Sequence, residues 1–104
     1  MGRGDAEAHL VVGVLRLELR LPENHSLKGK RAVLRTVKSR VRNTFNVSVA
    51  ECADHDLWQR AVLGIARVGA AEPDVASALE EVVGFIEDLH VAEVGAQRVE
   101  YLHY

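Results

Sequence analysis

Between Leu10 and Leu21 the chain alternates with a period of two, and this most constrains what it can become. Val11, Leu15, Leu17, Leu19 and Leu21 fall on one side of an extended segment; Leu10, Val12, Val14, Arg16, Glu18 and Arg20 fall on the other. Successive side chains of a strand point to opposite faces, so the first set is a core face. Pro22-Glu23-Asn24-His25 ends the strand. A core-facing strand this long needs partners and a covering layer.

The rest of the chain supplies them. Ser26 is a good N-cap, its hydroxyl able to accept a free backbone N–H of a first helical turn. Leu27 to about Asn43 then reads as a helix, with Leu34, Val37 and Val41 on its inner side and Val33 widening the stripe. Phe45 to Ala53 is predicted as a strand, Asp54-His55-Asp56 as a turn, and Trp58 to about Val68 as a third strand paired to the second. Glu72-Pro73-Asp74 opens another helix, with proline in the first turn and acids at the positive end of the dipole. Val75, Leu79, Val82, Val83, Ile86 and Leu89 form its stripe, and Gly84 either weakens it or allows a close approach. Gln97 to Tyr104 is the last strand. The order βαββαβ predicts an α+β, ferredoxin-like sandwich: a four-stranded antiparallel sheet with two helices on one face and the first and third strands central. Residues 10–104 are expected to form this single domain, preceded by a flexible leader over residues 1–9.

Cys52 is alone, which excludes an internal disulfide or a cysteine metal knuckle. The apolar run of the first strand is broken by Arg16, Glu18 and Arg20, and Met1 to His9 is polar. Neither a membrane span nor a secretory signal is expected, and the location is expected to be cytoplasmic.

The net charge of −2 hides an asymmetry. Lys28, Lys30, Arg31, Arg35, Lys38, Arg40 and Arg42 follow one another with no acid between them. Glu72, Asp74, Glu80, Glu81, Glu87, Asp88 and Glu93 come later. A helix face of one sign points to a polyanion, whose phosphates would meet Lys28, Lys30, Arg31, Arg35, Lys38 and Arg42, with the free N–H groups at the Ser26 helix start as a further anion contact. The competing explanation is that the two helices lie side by side and their opposite charges neutralise each other.

An open antiparallel sheet should alternate apolar and polar residues. Ala61-Val62-Leu63-Gly64-Ile65-Ala66 does not, and neither does Leu10 to Leu15. A second copy of the chain is the simplest cover for the outer face, so a homodimer or higher oligomer is expected, with Val12, Val14, Val62, Ala66 and Trp58 at the interface. The alternative is that alanine and glycine leave too little apolar area there to matter.

Three ordered motifs add a resemblance. Ser26-Leu27-Lys28-Gly29-Lys30-Arg31, Phe45-Asn46-Val47-Ser48-Val49-Ala50-Glu51, and Asp56-Leu57-Trp58-Gln59-Arg60-Ala61 with Leu63-Gly64-Ile65-Ala66 resemble the YlxP-like family of small bacterial proteins. The resemblance runs from about Leu10 to Tyr104. It implies a ferredoxin-like fold and carries no assigned function; the family's genes often lie near those of translation initiation and ribosome-binding factors, which implies a role around RNA or ribosomes. Two departures stand out. The family usually has an acid at Gly29, which could complete a capping box with Ser26 and which glycine cannot. Family members also tend to begin near Val11.

No reaction chemistry is evident. Glu51-Cys52-Ala53-Asp54-His55-Asp56 offers acid, thiol and imidazole, but adjacent strand positions diverge and the aspartates are ordinary turn formers. His25 has nothing to orient it as an acid or base. Trp58 could stack on a base, anchor a subunit contact or cap the hairpin. Lys28-Gly29-Lys30 is not a P-loop. The first and third strands lack the aromatics with which an RRM sheet stacks bases. The expectation is an accessory protein that touches RNA or the ribosome, with no catalytic residues, cofactor, metal, membrane partner or sequence-specific DNA reading. The alternative is a homo-oligomeric protein-interaction module.

Overall fold

The structure, a computed structural model, describes residues 9–104. The leader expected over residues 1–9 lies, up to residue 8, outside the described residues.

The elements run β1 (Val11–Arg20), α1 (Leu27–Thr44), β2 (Ser48–Ala53), β3 (Arg60–Gly69), α2 (Glu72–Leu89) and β4 (Glu93–His103). One antiparallel sheet has the order β2-β3-β1-β4, with β1 and β3 central as expected. The apolar alternation of β1 sets its register: Val11, Leu15, Leu17, Leu19 and Leu21 are buried, together with Ala61, Leu63 and Ile65 of β3. Leu34, Val37 and Val41 of α1 and Val75, Leu79, Val82, Val83 and Ile86 of α2 close over them. The two helices meet at an edge-to-face aromatic pair, Phe45 on Phe85, with ring centres 5.4 Å apart.

Three boundaries differ from the sequence expectation, each for a local reason. β2 begins at Ser48, because the Phe45 N–H still donates to Val41 O at 2.8 Å and ends α1. β3 begins at Arg60, because Asn24 and Gln59 side chains hold the preceding loop out of the ladder. β4 begins four residues before Gln97, its extra length accommodated by a register shift opposite Glu18. Gly95 leaves the space that the Glu18 side chain occupies there. No described helix is long and apolar enough to cross a membrane.

Candidate nucleic-acid interface

Seen along α1, the buried positions Lys30, Leu34, Val37 and Val41 define the inner side. Arg31, Arg35, Lys38 and Arg42 each follow an inner position by one residue, so they form a second stripe turned about 100° from the core. That stripe borders β2. Arg31, Arg35 and Lys38 line a shallow groove with Leu34 and Glu51, and Arg42 Nη2 donates to Val49 O at 2.7 Å. From Arg31 to Arg42 the stripe extends roughly 16 Å. Val33, on the opposite flank of the helix, shares a cleft with His90 and Val91 at the far end of α2.

The carboxylates of the acidic helix make no direct ion pair with the stripe. Among the described residues no ion pair within 4 Å joins Lys28, Arg31, Arg35, Lys38 or Arg40 to a carboxylate. At the start of α2, Glu72 instead pairs with His103 at 2.8 Å. Glu51, the acid of the α1–β2 groove, is already occupied by Lys30.

Lys30 corrects the sequence expectation most directly. It is 2% exposed and cannot meet a phosphate. Its Nζ donates to Asp54 O at 2.6 Å and Leu57 O at 2.8 Å and lies 3.1 Å from Glu51 Oε2. Placed on the inner side one turn before Leu34, its long stem reaches under the β2–β3 loop, and the buried ammonium is satisfied by two carbonyls and a carboxylate.

Ser26 caps α1 as expected, its Oγ accepting Gly29 N–H at 2.9 Å. The glycine at position 29 has a structural reason: a Cβ there would strike Asn24 Oδ1. The Asn24 amide packs where an acidic side chain would begin, and its Nδ2 donates both to Ser26 O at 2.7 Å and to Trp58 O at 2.6 Å. One amide thus ties the start of α1 to the β2–β3 loop. Gln59 Nε2 returns the connection, donating to Pro22 O and Asn24 O at 3.1 Å each. The first and third family-like motifs, distant in sequence, are assembled at one end of the molecule.

On that clamped end Leu57 and Trp58 stand 49% and 53% exposed. With His25, Asp56, Gln59 and Arg60 they line an open groove of about 610 Å³. Arg60 is fixed from behind by Glu18 Oε2 at 2.8 Å and Asp54 Oδ2 at 2.9 Å.

The residues expected at a self-association surface do not form one patch. Val12, Val14 and Ala66 lie together on the outer sheet face, where the register sets Val12 beside Val68 and Leu102 and Val14 beside Ala66. Val62 is 2% exposed and buried within the chain, so it is removed from that surface. Trp58 precedes β3, at the opposite end of a strand roughly 26 Å long from Arg60 to Val68. Sequence reasoning missed Val68 and Leu102, although their period-two spacing with Ala66 and Glu100 marks the same face. It also missed Asn24, for which a loop asparagine gives no signal.

In the Glu51–Asp56 segment, Glu51 turns inward to Lys30, while Cys52, the extra residue of a register shift between β2 and β3, lies on the other face with Arg16 Nη1 4.0 Å from its sulfur. His55 Nε2 is 4.0 Å from Glu51 Oε1 and exposed.

Residues 12–99 match a family described as "Protein of unknown function (DUF503)". The chain is 36% identical over 91 residues to "Uncharacterized protein YlxP" of Bacillus subtilis (strain 168), an alignment covering 88% of this chain and 99% of that one. Among solved structures, the de novo designed protein Foldit4 is similar with a TM-score of 0.47 and 16% identity, over 91% of this chain and 96% of the designed one.

Proposed function

The chain belongs to the DUF503 family of proteins of unknown function, and on that footing we propose that it is a non-catalytic accessory protein that binds RNA, alone or within the ribosome, through the cationic side of α1. The observation that carries this is the unpaired stripe Arg31, Arg35 and Lys38, extended by Lys28 at the helix start and by the exposed Arg42. Cations held in register on a rigid helix and left without carboxylate partners release counterions when phosphates replace solvent. Binding of this kind is sequence-blind and strongly salt-dependent.

Fluorescence anisotropy with a structured RNA over a salt series tests it. Affinity should fall steeply with salt, and the double variant Arg35→Glu, Lys38→Glu should weaken binding and lower the salt slope by about 2. Binding indifferent to that variant, or none at low salt, refutes the proposal.

A second reading rests on a different surface. Leu10, Val12, Val14, Ala66, Val68, Leu102 and Tyr104 gather at one end of the outer sheet face, and Leu10 and Tyr104 exchange backbone hydrogen bonds at 3.4 and 2.8 Å. A second copy covering this strip would make the chain a homo-oligomeric module. Sedimentation velocity should then show a dimer or larger species that Val68→Glu dissociates; a monomer at high protein concentration refutes it.

A further inference from the structure

The groove at Trp58 has a construction that the cationic stripe does not explain. Its backbone is held by Asn24 at Trp58 O, by Lys30 at Asp54 O and Leu57 O, and by the Leu21 N–H at Gln59 O, 2.9 Å. A loop fixed at this many points nevertheless turns an indole outward, 53% exposed. Little backbone entropy remains to be lost when a ligand contacts that residue.

Three of the six lining residues carry an indole, an imidazole and a guanidinium, Trp58, His25 and Arg60; Leu57, Gln59 and Asp56 complete the walls. The first three are groups on which unpaired bases stack. Asp56 also lines the groove, and its carboxylate opposes entry of a phosphate while accepting an N–H from a base edge. The Asn24 amide that holds Trp58 O also holds Ser26 O, so the indole sits at the N-terminal end of α1, where Lys28 and Arg31 begin the cationic side. A polyanion following that side reaches an aromatic face at its end.

We propose that the Trp58 groove is a base-stacking subsite, and that the ligand is single-stranded RNA whose phosphates lie along α1 and whose base enters between Trp58, His25 and Arg60. This rests on the RNA reading above and narrows it to a substrate class. Double-stranded RNA can engage the cations, but its paired bases cannot enter the groove.

Trp58 is the only tryptophan, so its emission reports the groove directly. The full chain is titrated with a short oligoadenylate and with the corresponding RNA duplex, following tryptophan emission and, separately, the anisotropy of labelled RNA. Oligoadenylate should quench Trp58, and the duplex should bind without quenching. Trp58→Ala should weaken oligoadenylate binding roughly ten- to a hundredfold and leave duplex binding unchanged, because stacking contributes ~1–3 kcal/mol per base. Trp58→Phe should recover part of the loss, since a phenyl ring still stacks on a base. Salt-dependent binding of oligoadenylate with unchanged emission, and equal affinity for Trp58→Ala, overturns the subsite and leaves the cationic stripe standing. No binding of either RNA at low salt overturns both. Emission that shifts with protein concentration in the absence of RNA assigns the indole to a subunit contact and also overturns the subsite.

Discussion

Replacing Lys30 by methionine keeps the stem and removes the charge, and the structure sets the size of the effect. The ammonium is buried, with two carbonyls at 2.6 and 2.8 Å and Glu51 Oε2 at 3.1 Å. Glu51 Oε2 is buried and accepts no hydrogen bond even with Lys30 in place, so the ammonium at 3.1 Å is its countercharge; without it the carboxylate keeps only His55, 4.0 Å from its other oxygen. Removing one member of a buried pair costs about 3–5 kcal/mol. The Glu51 side chain retains 18% exposure, so the lower end applies, about 3 kcal/mol. For a domain of this size that lowers Tm by roughly 12–24 °C. Urea and thermal unfolding followed by circular dichroism measure it, with Lys28→Met on the exposed side of the same turn as a control expected within about 0.5 kcal/mol of the parent. Adding Glu51→Gln to Lys30→Met removes the stranded charge and should recover about 1–2 kcal/mol. A loss below about 1 kcal/mol for Lys30→Met would refute the clamp and return Lys30 to the phosphate-facing set.

Other substitutions separate close packing from open space. A Cβ at Gly84 meets nothing within 4 Å, so Gly84→Ala should stabilise the fold by about 0.5–1 kcal/mol through helix propensity. A Cβ at Gly13 would lie 2.5 Å from Val75 Cγ1 and 2.9 Å from Leu79 Cδ1, so Gly13→Ala should destabilise by about 1–3 kcal/mol in the same melts. His90 ends α2 with φ of 55°, and His90→Gly should raise stability by about 0.5–1 kcal/mol, read from the urea midpoint at constant m-value. Gly29→Glu forces Asn24 off the helix start; amide hydrogen exchange should show faster opening around Trp58, and Asn24→Ala alone should reproduce that change.

Much of the fold was legible because periodicity is a local property. The period-two run of β1 and the inner stripes of α1 and α2 named most of the core before any strand was paired; Val49, Ala61, Leu63 and Ile65 of β2 and β3 complete it. Polar residues were harder, since one helical charge looks like another in sequence. Lys30 lies between Lys28 and Arg31, yet one step around the helix puts it on the inner side with Leu34 rather than in water. Val62 was misplaced for the complementary reason: it lies on the outer sheet face, where alternation alone cannot reveal that neighbouring side chains cover it.

By itself the sequence determined the element order, the buried stripes, the Ser26 cap and the one-signed charge of α1, because each depends on residues a turn or less apart along one element. Only the tertiary structure decided which cations are free and what stands beside them. The distance between Asn24 and Trp58, between Lys30 and Leu57, and between the flank of α1 and α2 is set by how the helices dock on the sheet. That docking turns the Arg31–Arg42 stripe toward β2. It also folds the third motif back against the first, leaving Trp58 exposed at the end of the cationic helix.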